Sequence, residues 1–157
     1  MGTAWRVCPD THARTGIEAF SGIGSRLYGG RWNSKGVAVA YGSTTLALAA
    51  LEYLVHADVR LLRTVRLVSC DAHWPDDLRV EVVAADTLAP EWRNTPSPAA
   101  STAYGDSWVR EQRSAILLVP SAVIPSEDNV LINPSHPDAG RIRYGAPSRF
   151  SYDPRLL

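Results

Sequence analysis

Disulfides, zinc ligands and a strong net field are what this 157-residue chain lacks first. Its two cysteines, Cys8 and Cys70, lie far apart and in no Cys-x-x-Cys or Cys/His spacing. That excludes a disulfide framework and a zinc ribbon, and makes a reducing compartment the expected setting. Sixteen basic residues cancel sixteen acidic ones, so no bulk field recruits nucleic acid or an anionic membrane surface. No apolar run has bilayer-spanning length, and the first residues lack the basic-then-apolar order of an export signal. A cytoplasmic protein, neither secreted nor anchored, is expected. Lysine is nearly absent: Lys35 is the one lysine, and the other basic residues are arginines. Planar guanidinium forks suit phosphates, although an Ala/Arg-rich chain also follows from the base composition of its genome. Internal repeats and low-complexity tails are missing too. Gly22 and Gly24 suggest a dinucleotide loop, but Leu27 stands where the third glycine belongs, which excludes that fingerprint.

What is present is enough apolar material, 45% of residues, for one core, so residues 1–157 are expected to form a single domain. Alternation predicts a first strand at 4–8, ended by Pro9, and a short helix at 11–20 broken by Ser21-Gly22. A buried strand is predicted at 36–41, ending on Tyr41. Ser43 or Thr44 would cap the helix that follows, from 45 to about 56. Its apolar face is read as Ala47, Ala50, Leu51 and Leu54, with Glu52 on a flank beside Thr45, Leu48 and His56. Further strands are predicted at 60–69, 80–83, 115–119, 129–134 and 141–144, with a short helix at 106–112. The proline-bearing stretch 88–102 reads as a connector. About seven short strands against two or three helices predict an α+β fold with a mixed β-sheet.

Three residues stand out as odd ways to build a core. Arg31 is presented by Gly29-Gly30, Tyr41 ends a strand, and Glu52 is the only charge in a run of ten helical residues. Together they suit a dinucleotide and a glycosidic bond. Cleaving the nicotinamide–ribose bond of NAD+ develops positive charge on the ribose, and a carboxylate about 4 Å away stabilises it by about 4 kcal/mol at an effective dielectric near 20. That corresponds to roughly a thousandfold in rate. Arg31 would pair with a phosphate oxygen and Tyr41 would offer a flat face to a base, and the chemistry requires no metal. The same residues also fit a purely structural reading, with Arg31 and Glu52 as a buried ion pair and Tyr41 as core. Ser121 has two readings: its hydroxyl orients Glu52 or contacts ribose, or it caps the turn begun by Pro120. His56 and His136 are read as a helix end and a turn, not as bases. A solvated, outward Arg6 is the expectation from the first strand alone.

The motifs Gly29-Gly30-Arg31-Trp32-Asn33-Ser34-Lys35-Gly36, Leu46-Ala47-Leu48-Ala49-Ala50-Leu51-Glu52, Gly105-Asp106-Ser107-Trp108 and Val119-Pro120-Ser121 resemble the RES domain family. So do Asn129-Val130-Leu131-Ile132-Asn133-Pro134-Ser135-His136-Pro137 and the final Tyr152-Asp153-Pro154-Arg155-Leu156. The resemblance spans nearly the whole chain. It implies an ADP-ribosyltransferase-like fold and a bacterial toxin encoded beside an Xre-type helix-turn-helix antitoxin. It implies an activity that consumes NAD+ by hydrolysis, by phosphorolysis, or by transfer of ADP-ribose to a protein. The family's arginine, glutamate and serine fall on Arg31, Glu52 and Ser121, while Arg6, Tyr41 and Arg155 fall at positions that line the NAD+ pocket. Tyr152 departs from the family's frequent phenylalanine. A ribonuclease or RNA-binding toxin, and a catalytically dead binding module, are the readings from other classes. The charge balance opposes the first, and the intact Arg31, Glu52 and Ser121 oppose the second.

Overall fold

A computed structural model describes all residues from Met1 to Leu157. Eight strands form one mixed sheet: β1 (Gly2–Pro9), β2 (Ala40–Ser43), β3 (Leu67–Trp74), β4 (Val80–Val82), β5 (Ile116–Pro120), β6 (Asp128–Ile132), β7 (Arg143–Tyr144) and β8 (Ser148–Phe150). Their spatial order is β4-β5-β6-β2-β1-β3-β7, with β8 also on β3, and only β4 and β5 run parallel. Helices α1 (Gly16–Ala19) and α2 (Ile23–Tyr28) are short, while α3 (Leu46–His56) and α4 (Ala99–Arg110) are the long ones. This is the α+β architecture with a mixed sheet that the strand count predicts. No helix is long and apolar enough to cross a membrane.

Residues directly opposite one another in a sheet share a face, so the register sorts the core into layers. The pairs Trp5–Ser43, Ser43–Asn129, Tyr41–Leu131, Leu117–Leu131 and Val119–Asn129 lie on one face. Over one end of that face, α3 and the C-terminus pack on Val7 and Leu67. Over the other end, Trp32 and Trp108 of α4 pack on Leu117, Val119 and Leu131. Burying each tryptophan stabilises the fold by about 2–3 kcal/mol. In the strand order β6 and β2 run between these two mounds. The opposite face is closed by Phe20, Ala13, Ala19 and Ile142 over Ala4, Cys8, Ala40, Cys70, Val130 and Ile132.

Several boundaries differ from those predicted. The strand expected at 60–69 is a series of turns up to Thr64, begun by an Asp58–Arg60 pair, and the ladder starts only at Leu67. Alternation there reflects one buried residue, Leu62, plugging the core beneath α3. The strand at 36–41 is shifted to Ala40–Ser43, and the helix at 11–20 is a 3-10 turn followed by α1, whose N-cap is Thr15. Helix α4 begins at Ala99, within the stretch read as connector. Its buried face is Ser101, Gly105 and Trp108, and the first two are small residues that give no apolar periodicity. It ends at Glu111 and Gln112, the latter in the left-handed region at φ 49°, a helix stop for which the sequence offers no glycine. Thr45, not Ser43 or Thr44, caps α3 by accepting from the Leu48 amide. The last predicted strand shortens to Arg143–Tyr144, with residues 137–141 in a 3-10 turn, and β8 is additional.

Candidate active site

The Arg31 loop is a tight turn built on its neighbours' backbone. Gly30 and Asn33 exchange both amide–carbonyl bonds, which leaves Arg31 and Trp32 at the tip, Trp32 pointing inward and buried. Gly29 sits at φ 73°, where a side chain would be strained. A Cβ on Gly30 would stand 2.7 Å from the Tyr41 hydroxyl. That hydroxyl accepts from the Trp32 amide at 3.0 Å and donates to Asn33 Oδ1 at 2.6 Å. Burial pushes the Tyr41 phenol well above its ordinary pKa, so it stays neutral and acts as a fixed strut. Asn33 in turn donates to the carbonyls of Ser25 and Val37, both at 2.9 Å.

The Gly105-Asp106-Ser107-Trp108 motif clamps this loop from above. A Cβ on Gly105 would meet the Trp32 carbonyl at 1.7 Å, so only glycine lets α4 approach. Asp106 Oδ1 accepts from the Ser34 amide at 2.8 Å, and its other oxygen accepts from the Ser34 hydroxyl. Trp108 donates to Ser114 Oγ at 2.9 Å. Arg31 itself, half-buried, donates from Nη1 to the carbonyls of Trp92 (2.6 Å) and Asn94 (3.1 Å). The segment that supplies these carbonyls also reaches the turn after β5, where Arg93 donates to the Ala122 carbonyl at 3.0 Å. Arg31 Nε and Nη2 make no hydrogen bond within the chain. Partial burial pulls the Arg31 pKa below its ordinary value while the charge of Glu52 pushes it up, and it remains a cation at physiological pH.

Glu52 comes from α3 and lies close enough for its charge to act on Arg31. Its face differs from the one the helical pattern predicts. Leu48 and Ala49 are buried, whereas Leu51 is 40% and Val55 62% exposed, so the flank carrying Glu52 turns toward the sheet. Two donors receive it. Ser121 Oγ donates to Glu52 Oε1 at 2.7 Å, and Asn129 Nδ2 donates to the same oxygen at 2.6 Å. Ser121 fulfils both readings of its hydroxyl at once, since it also accepts from the amides of Val123 and Ile124 at 3.0 and 2.9 Å. The buried Arg31–Glu52 ion pair of the purely structural reading does not form. Each residue instead has its own partners.

Arg6 and Arg155, expected at the pocket margin, make no bond to Glu52 or Arg31. Arg6 opposes Cys70 on the sheet's other face and reaches β2 by donating to the Tyr41 carbonyl at 2.6 Å, so it is half-buried and bridging, not solvated as its strand position suggests. Arg155 is exposed and paired with Asp153 at 2.9 Å. The C-terminal segment is tied to α3 nearby, where the Tyr152 hydroxyl donates to the Ala50 carbonyl. His56 ends α3, and His136 caps its own turn by accepting from the Asp138 amide at 3.0 Å. Sequence reasoning assigned no role to Asn129, Asn33, Gly105 or Asp106. All four stand inside motifs quoted for the resemblance, which was the one signal that pointed at them.

A RES domain family model matches residues 3–153. The chain belongs to the RES domain family. Among its relatives, a Prs ADP-ribosylating toxin of Sphingobium sp. (strain YBL2) is 39% identical over 156 residues, covering 98% of this chain and 95% of the relative. A Toxin Res of Yersinia enterocolitica is 35% identical over 139 residues, covering 87% of this chain and 90% of the relative. Another Toxin Res, from Photorhabdus laumondii, is 41% identical over 122 residues and covers 76% of each chain. The fold matches a chain of the M. tuberculosis MbcT–MbcA toxin–antitoxin complex with a TM-score of 0.73 at 17% identity, over 96% of this RES domain and 84% of that chain.

Proposed function

We propose that this RES domain is the toxin of a toxin–antitoxin pair and that it breaks the nicotinamide–ribose bond of NAD+. The observation that carries the reading is the Ser121–Glu52 bond beside a half-buried Arg31 that lies within reach of the Glu52 charge. The bond ties Oε1 of the carboxylate to the end of β5 and leaves Oε2 without a donor from the chain. As nicotinamide departs with the bonding electron pair, the ribose carbon becomes cationic, and the Glu52 carboxylate stabilises that charge where it develops. Arg31, with Nε and Nη2 unengaged, takes the diphosphate. Tyr41 fixes the turn that aims Arg31 and presents its ring to the site. Arg6 and Arg155 stand at the margins, Arg6 acting through the Tyr41 carbonyl and Arg155 from the exposed C-terminal turn. The electron pair that re-forms the bond to ribose comes from water, from phosphate or from a protein side chain. The 39%-identical relative named as an ADP-ribosylating toxin favours the last as a second reading.

Toxin relatives and a fold match in a toxin–antitoxin complex support an antitoxin partner, and the family resemblance favours an Xre-type one. Ile23, Leu27 and Tyr28, exposed by 55%, 55% and 78% directly before the Arg31 turn, supply apolar surface for a protein that covers the site. NAD+ turnover unaffected by bound antitoxin would reject that part. The central test follows NAD+ loss by the partner-free protein, with and without phosphate, with products separated by chromatography and Glu52→Gln alongside. Nicotinamide release that depends on Glu52 supports cleavage, and phosphate dependence distinguishes phosphorolysis from hydrolysis. Intact NAD+, both alone and with cell extract supplying protein acceptors, would overturn it.

A further inference from the structure

Asn129 and Ser43 lie outside every role assigned above, yet they touch Glu52 in series. Asn129 Nδ2 donates to Glu52 Oε1 at 2.6 Å, and Ser43 Oγ lies 2.8 Å from Asn129 Oδ1. The direction of this chain follows from chemistry. A carboxylate only accepts, so the nitrogen of the Asn129 amide must face Glu52. Its oxygen then faces Ser43, whose hydroxyl has to be the donor. Ser43 is 2% exposed and sits directly opposite Asn129 in the β2–β6 ladder, so backbone pairing fixes the distance between them. The position lies on the side of the sheet that α3 covers, and Ser121 meets the same oxygen from the end of β5. Two short bonds to an ionised acceptor on one oxygen lock the carboxylate's rotation and leave Oε2 as the oxygen available to a ligand.

We infer that Ser43 and Asn129 are positioning residues that orient Glu52 so that Oε2 faces the reacting ribose, Ser43 acting through Asn129 and Asn129 through Glu52. The inference rests on the proposed NAD+ cleavage. The carboxylate fixes which way the amide faces, because a flipped amide would set a carbonyl against it, and the buried Ser43 hydroxyl anchors the amide oxygen. Orientation acts on the transition state more than on the bound substrate, so the effect falls on kcat.

The test measures kcat and KM for NAD+, together with Tm, in Asn129→Ala, Asn129→Asp and Ser43→Ala, and repeats Asn129→Ala in the Glu52→Gln background. Asn129→Ala is expected to lower kcat by about 10- to 100-fold with KM within about twofold. Asn129→Asp lowers it further, because a second carboxylate meets the first, and Ser43→Ala lowers it by about three- to tenfold. In Glu52→Gln the Asn129→Ala change costs nothing more. A kcat for Asn129→Ala within threefold of wild type would overturn the inference, as would additive losses in the double variant or losses that track Tm alone. Should wild type turn over no NAD+ with any acceptor, the cleavage reading fails. The crystal structure of Asn129→Ala then decides the orienting role, and a Glu52 carboxylate still in its place would reject it.

Discussion

Glu52 and Arg31 lie within reach of one another's charge and are held by opposite means. Glu52 rides on an eleven-residue helix, and its side chain is bonded directly to the sheet through Ser121 and Asn129. Arg31 has no side-chain partner. Its backbone is held instead, by the Gly30–Asn33 turn, by the Tyr41 hydroxyl beneath and by α4 above, while its guanidinium touches only two carbonyls. The contrast matches the two tasks proposed for them. Stabilising charge at one atom needs a fixed oxygen, whereas grasping a diphosphate needs a placed stem and free donors.

The sharpest way to break that division is to compare kcat with KM for the two residues. Glu52→Gln should lower kcat for NAD+ cleavage by about 100- to 1,000-fold and leave KM near its wild-type value. Arg31→Ala should act mainly on KM, raising it by about 10- to 100-fold. Steady-state assays in which both variants lose kcat alone would collapse the distinction.

The backbone clamp on Arg31 is tested next, away from any reacting group. Gly105→Ala forces a methyl group into the Trp32 carbonyl, so α4 and the turn must separate. Urea unfolding should show a loss of about 2–4 kcal/mol, and surviving protein should bind NAD+ more weakly with a smaller change in kcat. Unchanged stability would mean that α4 does not bear on the Arg31 turn.

The smallest expected effect concerns the edge that holds α4 down. Tyr104 donates to Glu81 at 2.6 Å, Arg113 bonds both Glu81 oxygens at about 3.0 Å, and the Arg113 guanidinium lies 5.1 Å from the Tyr104 ring centre. Burial alone would push the Glu81 carboxyl up, but Arg113 and Tyr104 outweigh it and hold the carboxyl below its ordinary range. A folded pKa below the unfolded one contributes stability that is complete above about pH 4.3 and is lost as pH falls toward the folded value. Glu81→Gln should therefore cost about 1 kcal/mol at pH 7 and flatten the stability profile on the acid side. An unchanged acid slope in denaturant titrations would show that this cluster does not anchor α4.

Legibility in the sequence followed the kind of signal each segment carries. The strand read at 115–119 and the helix read at 45–56 fall within a residue of their predicted bounds because their apolar runs are dense and local, although the helix differs in its cap and buried face. Helix α4 did not, since Ser101 and Gly105 face the core as small residues and give no hydrophobic period. The turns after Asp58 misled for the opposite reason, alternating apolar and polar residues without a strand partner. At the site, Arg31, Tyr41 and Glu52 were visible as chemical oddities, and Ser121 as a family position. Asn129 looked like one polar residue at the start of a strand.

By itself the sequence determined the α+β class, the balanced charge, the family and the residue types capable of the chemistry, because composition, propensity and motif order are local properties. Only the tertiary structure decided that Ser121 and Asn129 share one oxygen of Glu52. It also decided that Arg31 and Glu52 stay apart, and that Cys8 and Cys70, far apart in the chain, enter one core layer. Those outcomes depend on strand register and on the rotation of α3 about its axis. Both are settled by how whole elements pack, and a single residue's shift in either would move every side chain at the site.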